Sequence, residues 1–584
     1  MDMHKQFTDR IRPTINKSHV DLPFEPNITS FQQWADSLPI LNPRLSASMM
    51  ATASQALLSA DINPTDKFRI AEAAQPCLLK LLSACNDKIE GAKLPFIKSL
   101  TEIFQGTIEV LTNLRLIYID IAYSPDFMST DVSKEDIDNA FFSDEQKSLV
   151  ICRAIEMLRI IQFVKSLIYK QVGNDFWANT NALLSFAESL DILQLSHLTN
   201  DGGSNTSVEN EFKKIQYFHL ANTNRLGQRD IKAVQRILAL QASDILMSST
   251  FDESSSFYID LSSSSPINHI AEINETNNQY RFMNNEQLEK FMLSEQVVAA
   301  EKHGAISLVS NNPILPKKTI SKVLSSWSAQ QNRQVARQNQ TEEITIYPGF
   351  ESIIRALILK KNPDYFGKKV VHAKKNPLDF GVENLRLIPM EDHQKNHHSL
   401  SDTDMNRALK ATAENALSDN SIWGKKSRTK PGEKGEEMEA KTNDSSLQGL
   451  RFKVSATNKP LLKASDLIGV QAKIGSLQLA IIRRINNLDD GDVSVGIEMM
   501  SPHLKIANIK FHDEEQSPKP VIFLQGVPAI NQPDSIISPL FLENTHEDIV
   551  LKTKDKMSYY SIDKTIETNQ VFSHYTVSKG AELD

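Results

Sequence analysis

Cysteine is scarce: the chain has 584 residues and only three, Cys77, Cys85 and Cys152. Their spacing matches no zinc-ligand pattern, and each sits in apolar, helical text. They are expected as buried thiols in a reducing compartment, with no metal site. Long apolar runs are missing too. No stretch approaches the ~18 uninterrupted apolar residues of a membrane span. The opening Met1-Asp2-Met3-His4-Lys5-Gln6 starts no apolar run, so a signal peptide is not expected. Positive charge is not in excess: 64 Lys and Arg stand against 72 Asp and Glu, a net charge of −8. That argues against a polyanion-binding chain, and nucleic acid is not an expected partner, although a local basic groove stays open. Enzyme signatures are absent as well. There is no G-x-x-x-x-G-K-[ST] loop, no G-x-G-x-x-G after a strand and no G-x-S-x-G elbow, so no catalytic residues and no cofactor are assigned. A cytoplasmic protein without enzymatic activity is the expectation.

Apolar residues make up 40% and charged residues 23%, enough to bury several cores. At roughly 150 residues per domain the chain holds about three or four. Residues 1–25 are polar with scattered prolines and are expected as an irregular lead-in. Residues 26–305 carry helical periodicity. Asn42-Pro43 and Asn63-Pro64 look like helix starts, with proline in the first turn. Stretches 95–122 and 145–172 have apolar residues at helical spacing, for example Leu149, Ile155, Leu158 and Ile161. The serine-rich stretch 248–265 flanks Phe257-Tyr258-Ile259-Asp260-Leu261 and is expected as a connector holding one strand. Helices are expected at 285–302 and at Lys317–Ser328.

From Glu343 the text turns β. Ile344–Tyr347 suggests a short strand ended by Pro348-Gly349, with helix over 351–361. The remainder of 351–443 is polar and basic, ending in a lysine- and glutamate-rich linker. Strand text resumes at Leu450–Val454 and continues at Leu467–Val470, Leu477–Ile485 and Val493–Met499. Residues 529–584 are expected as a weakly patterned tail, and no internal repeat is visible.

Two short motifs frame the β region: Arg333-Gln334-Val335-Ala336-Arg337, and Asp444-Ser445-Ser446-Leu447-Gln448-Gly449. Together they resemble the R-x-x-x-R and [DN]-x-S-x-x-G signature of the PilZ domain, a small β-barrel that binds cyclic di-GMP in bacteria. The resemblance extends to Leu467–Val470, Ala480–Ile485 and Val495–Glu498, which look like later barrel strands. It reaches the helical part through Asn224–Ile231 and Phe257–Leu261, which look like long PilZ proteins with a helical front domain. It implies an α+β multidomain chain, all-helical at the N-terminus, followed by a small antiparallel β-barrel. Arg337 and Asp444 lie 107 positions apart, so the barrel must be split: 306–350 holds the helix, arginine motif and first strand, 351–443 the insert, and 444–528 the rest. Leu450 stands where many members have a second glycine.

The residue chemistry suits such a ligand. Arginine offers a planar fork to phosphate oxygens or to the O6/N7 edge of guanine. Aspartate accepts from guanine donors, and a serine hydroxyl can bond phosphate or base. Glycine allows close backbone approach. Arg333, Arg337, Asp444, Ser446 and Gly449 are therefore the candidate ligand residues. The plainer reading is an exposed arginine pair on a helix, as at Arg225 and Arg229, and a linker end at Asp444. The implied function is a cyclic di-GMP-binding regulator acting on an unidentified protein partner, in motility, pilus or biofilm control. Two alternatives stay open. Val371-His372, Asn376–Asp379, Glu383–Leu387 and His393, His397 and His398 resemble an HNH nuclease finger in a lysine-rich context, although His372 lacks the usual neighbouring His or Asp. The other alternative is a ligand-free interaction scaffold.

Overall fold

The computed structural model describes residues 21–128, 142–199, 205–273, 277–294, 315, 317–328, 338–339, 341–361, 437–446, 449–473, 475–501, 503–511, 519–526, 532–539, 548–552, 557–568 and 571–580. Caps read from sequence start several helices. The Asn42 side chain accepts from the Leu45 N–H ahead of helix Pro43–Ser59, and Asn63 does the same for Thr65 ahead of Pro64–Ala73. Ser143 and Gln146 form a capping box on Asp144–Leu167. That helix packs on Lys98–Ala122, which in turn packs on Pro43–Ser59. Gly106 allows this last approach, because a Cβ there would stand 3.0 Å from the Ala47 Cβ. Helices Asn174–Ser189, Val208–Leu220 and Gln228–Gln241 complete the bundle, beside the short pair β1 (His197–Leu198) and β2 (Asn205–Thr206). The lead-in contributes to this core at its end, where Phe24 meets Phe31 edge-on at 5.0 Å.

The serine-rich stretch is more than a connector. It belongs to a four-stranded antiparallel sheet of β3 (Leu246–Ser248), β4 (Phe257–Asp260), β5 (Asn268–His269) and β6 (Tyr280–Asn284), ordered β3-β6-β4-β5. Phe257 and Ile259 alternate into the helical core, which a strand on the surface of a domain does and a linker does not. The following helix spans Glu286–Met292, shorter than expected; residues from 295 to 302 lie outside the described ones. Lys317–Ser328 is helical as expected.

Next come β7 (Gln338–Asn339), β8 (Glu343–Pro348) and helix Gly349–Lys361. Then follow β9 (Met438–Ser445), β10 (Gly449–Val454), β11 (Leu467–Ala472), β12 (Gln478–Asn487) and β13 (Val493–Ser501). The antiparallel order β10-β13-β12-β11-β8-β9 closes on itself through a β9–β10 pairing, giving a six-stranded barrel with β7 added beside β9. The expected linker is thus strand from Met438 on. Met438, Ala440 and Thr442 face in and Glu439 and Lys441 face out. That alternation is a strand signal, but the charged outward face hid it. β11 and β12 are buried on both faces. Ile468, Ala480 and Ile482 join the interior, and Leu467, Leu479 and Ile481 pack against Ile353, Ile354 and Ile358 of helix Gly349–Lys361.

The expected tail is a second domain. β14 (Leu504–Phe511), β15 (Lys519–Leu524), β16 (Ser535–Ser538), β17 (Asp548–Lys552), β18 (Met557–Thr568) and β19 (Ser573–Lys579) form a closed antiparallel barrel. So β14 and β15 do not belong to the first barrel, which ends at Ser501. Val521 and Phe523 point into the second barrel's own core, while Ile522 and Leu524 point out into a cluster shared with helix Gly349–Lys361 and β12. Closure rests on two pairings between strands that are not neighbours in the chain, β14 with β17 and β16 with β19, which local text does not show.

Candidate functional site

The corner between β9 and β10 carries the second motif. β9 alternates inward through Met438, Ala440 and Thr442, and simple alternation would send Asp444 inward as well. The register shifts instead: Phe452 opposes Thr442, but Arg451 opposes Asp444. The exposed Asn443 is the extra residue of a β-bulge, which turns Asp444 onto the outer face. There its carboxylate meets the Arg451 guanidinium, Nη2 to Oδ2 at 2.6 Å. Asp444 is nearly covered, at 6% side-chain exposure, while Arg451 is 45% exposed. A covered carboxylate needs such a partner, because desolvating an unpaired charge is costly.

Ser446 shapes the turn. Its N–H and its hydroxyl both donate to the Gly449 carbonyl, at 2.8 and 3.1 Å. Gly449 opens β10 directly opposite Glu498 of β13. A Cβ on Gly449 would lie 2.5 Å from the Ile497 carbonyl oxygen, so only glycine fits this close approach. Asp444, Ser446 and Gly449 thus share one corner.

Arg333 and Arg337 lie outside the described residues. Both flanks of their segment are described. On the C-terminal side, Gln338 pairs with Ser445 and Asn339 with Asp444, antiparallel. The residue after Arg337 is therefore backbone-paired to the residue after Asp444. Just beyond, the Glu342 N–H donates to Thr442 Oγ1 at 2.7 Å, which fixes the strand on the bulged side. On the N-terminal side, helix Lys317–Ser328 sits on the helical domain. Trp327 is fully buried, stacks edge-on with Tyr217 and donates its indole N–H to the Tyr217 carbonyl at 3.1 Å. Trp327 is thus a packing residue of the helical domain. Ser326 Oγ accepts from Asn222 Nδ2, and Thr319 Oγ1 donates to Asp230 Oδ2. Asp230 lies within the stretch 224–231 singled out in the sequence, and Asn222 stands just before it.

The first barrel also touches the helical domain. The Leu94 N–H donates to the Leu462 carbonyl at 2.8 Å, the Asn487 N–H donates to the Tyr169 carbonyl at 2.9 Å, and Asn224 Nδ2 donates to Asn486 Oδ1. One apolar cluster runs through both. His372, His393, His397 and His398 of the nuclease-like stretch lie outside the described residues.

Two family models match the chain. One is the N-terminal domain of the cyclic-di-GMP receptor FimW, over residues 29–250, and the other is the middle PilZ domain of the same receptor, over residues 257–505. The chain belongs to the FimW family. No curated protein and no solved structure matches it. The FimW N-terminal match covers most of the helical bundle and β3, and the FimW PilZ match covers the other three strands of the small sheet, the Lys317–Ser328 helix and the first barrel. The second barrel, apart from its first residues, lies beyond both FimW matches. Sequence reasoning missed Arg451 in this FimW-type corner. Its signal was a cation two residues after Gly449, at an outward position between the inward Leu450 and Phe452.

Proposed function

We propose that this chain is a cytoplasmic, non-enzymatic receptor that binds cyclic di-GMP at the β9–β10 corner. Arg333 and Arg337 hold its phosphates and guanine edges, Asp444 and Ser446 read guanine, and Gly449 lets the backbone close in. The observation that carries this reading is the pairing of Gln338 and Asn339 with Ser445 and Asp444, which begins one residue after Arg337 in the chain. Its support in sequence is the FimW PilZ match. Ligand binding acts on the helical domain through helix Lys317–Ser328, because the same segment that meets the ligand leaves from the buried Trp327 anchor. The output is a change in the surface offered to a protein partner, in motility, pilus or biofilm control.

The test is calorimetric titration of the full chain with cyclic di-GMP, beside GTP and cyclic di-AMP. Selective binding of cyclic di-GMP that is lost in Arg337→Ala supports the reading. A flat titration on folded protein overturns it in favour of a ligand-free scaffold.

A further inference from the structure

The second barrel repeats the first. Numbering the six strands of each along the chain, both close in the cyclic order 1-2-3-6-5-4, antiparallel at every step. Both also break register twice along the pairing of the fifth and sixth strands, β12–β13 and β18–β19. Six antiparallel strands can close in many orders, so the shared order and shared irregular pair mark one architecture used twice. No sequence repeat announces it.

The second copy lacks the ligand residues. No Arg-x-x-x-Arg precedes β14, and the connection between its second and third strands, 525–534, has no Asp-x-Ser-x-x-Gly. Its one aspartate there, Asp534, is engaged in its own loop: Oδ1 accepts the Gly526 N–H at 2.7 Å.

The copy is nevertheless fastened at the ligand corner of the first barrel. Arg483 is the bulged residue of β12. Its Nε donates to Glu498 at 2.6 Å, and its two terminal nitrogens donate to both oxygens of Glu567 on β18, at 3.0 and 3.1 Å. Glu498 stands directly opposite Gly449. Phe572, Ile522, Leu524 and Ile537 of the second barrel reinforce the fork in an apolar seam with Leu479 and Ile481.

Resting on the cyclic di-GMP reading of the first barrel, we propose that residues 504–579 are a companion barrel that takes no cyclic dinucleotide itself and reads occupancy of the first barrel through the Arg483 fork. A ligand with two phosphates, arriving beside Gly449, adds negative charge next to Glu498. The Arg483 guanidinium then redistributes between that corner and Glu567, and β18 feels the change.

The experiment combines titration with hydrogen exchange on the full chain. The expected results are one cyclic di-GMP per chain, no residual binding in Asp444→Ala, and a several-fold change in amide exchange across 557–579 on saturation. The paired variant Arg483→Met with Glu567→Gln removes both charges together, so no buried carboxylate is left unpaired. It should still bind, with the exchange response of 557–579 lost; Glu567→Gln alone serves if the pair does not fold. Two ligands per chain, or residual binding in Asp444→Ala, would overturn the companion role. Binding without an exchange response in wild type, or a response that survives the paired variant, would overturn the readout. Wild type that binds nothing removes the receptor reading and this inference with it.

Discussion

Asp444 and Arg451 stand opposite each other across β9 and β10 and close a 2.6 Å ion pair outside the barrel, because Asn443 bulges the strand between them and the interior. The pair orients a nearly covered carboxylate and supplies it with a charged partner. Arg451→Ala should therefore weaken cyclic di-GMP binding by roughly tenfold to a hundredfold, the usual scale of a charged hydrogen bond. Arg451→Lys should recover part of this, since an ammonium lacks the planar fork. Calorimetry measures both, and an unchanged affinity in Arg451→Ala removes the residue from the site.

Gly449→Ala places a methyl 2.5 Å from the Ile497 carbonyl oxygen. The β10–β13 pairing must spread to admit it. Stability should fall by about 1–3 kcal/mol, as for other overpacked positions. Denaturant melts of the two proteins give the difference directly, and a matching midpoint would contradict the close approach.

Trp327→Ala should empty a fully buried site on the helical domain and delete the indole N–H to Tyr217 carbonyl bond. Loss of a buried tryptophan costs about 3–5 kcal/mol. The helix Lys317–Ser328 should then exchange its amides faster than the rest of the domain. Uniform exchange across both would show that the helix is held by something other than Trp327.

Asp466 sits in the loop before β11, close to the Leu94–Leu462 contact with the helical domain. Burial pushes its carboxyl up to about 6, against the opposing pull of Lys463 and Lys93. A folded-state value above the unfolded one means that protonation favours the fold. The stabilisation is complete below pH ~4 and is lost as pH rises through about 6. Asp466→Asn should accordingly raise stability by up to about 3 kcal/mol at pH 7.5 and by nothing near pH 4. Melts at the two pH values check this; an equal shift at both would rule out titration of Asp466.

Much of the fold was legible because it obeys local rules. Asn42-Pro43, Asn63-Pro64 and the apolar spacing of 145–167 specify helices within a few residues of chain, and short apolar, β-branched runs between 467 and 499 specify strands. The candidate corner was legible as Asp444, Ser446 and Gly449 because a turn motif is short. What depends on distant partners was not. Met438–Lys441 becomes a strand by pairing with β8, about a hundred residues earlier, and Phe257–Asp260 becomes core by packing on helices. Arg153, Glu156, Arg159 and Glu211 look like a solvated helix face, yet they form a buried chain of ion pairs because a second helix brings its charges to meet the first. The sequence by itself determined the helices, the first barrel's later strands and the residue types of the corner. Tertiary structure alone decided that a bulge turns Asp444 outward to Arg451 and that residues 535–579 close a second barrel, since register is set by which residues pair across strands and closure by pairing β14 with β17 and β16 with β19, strands apart in the chain.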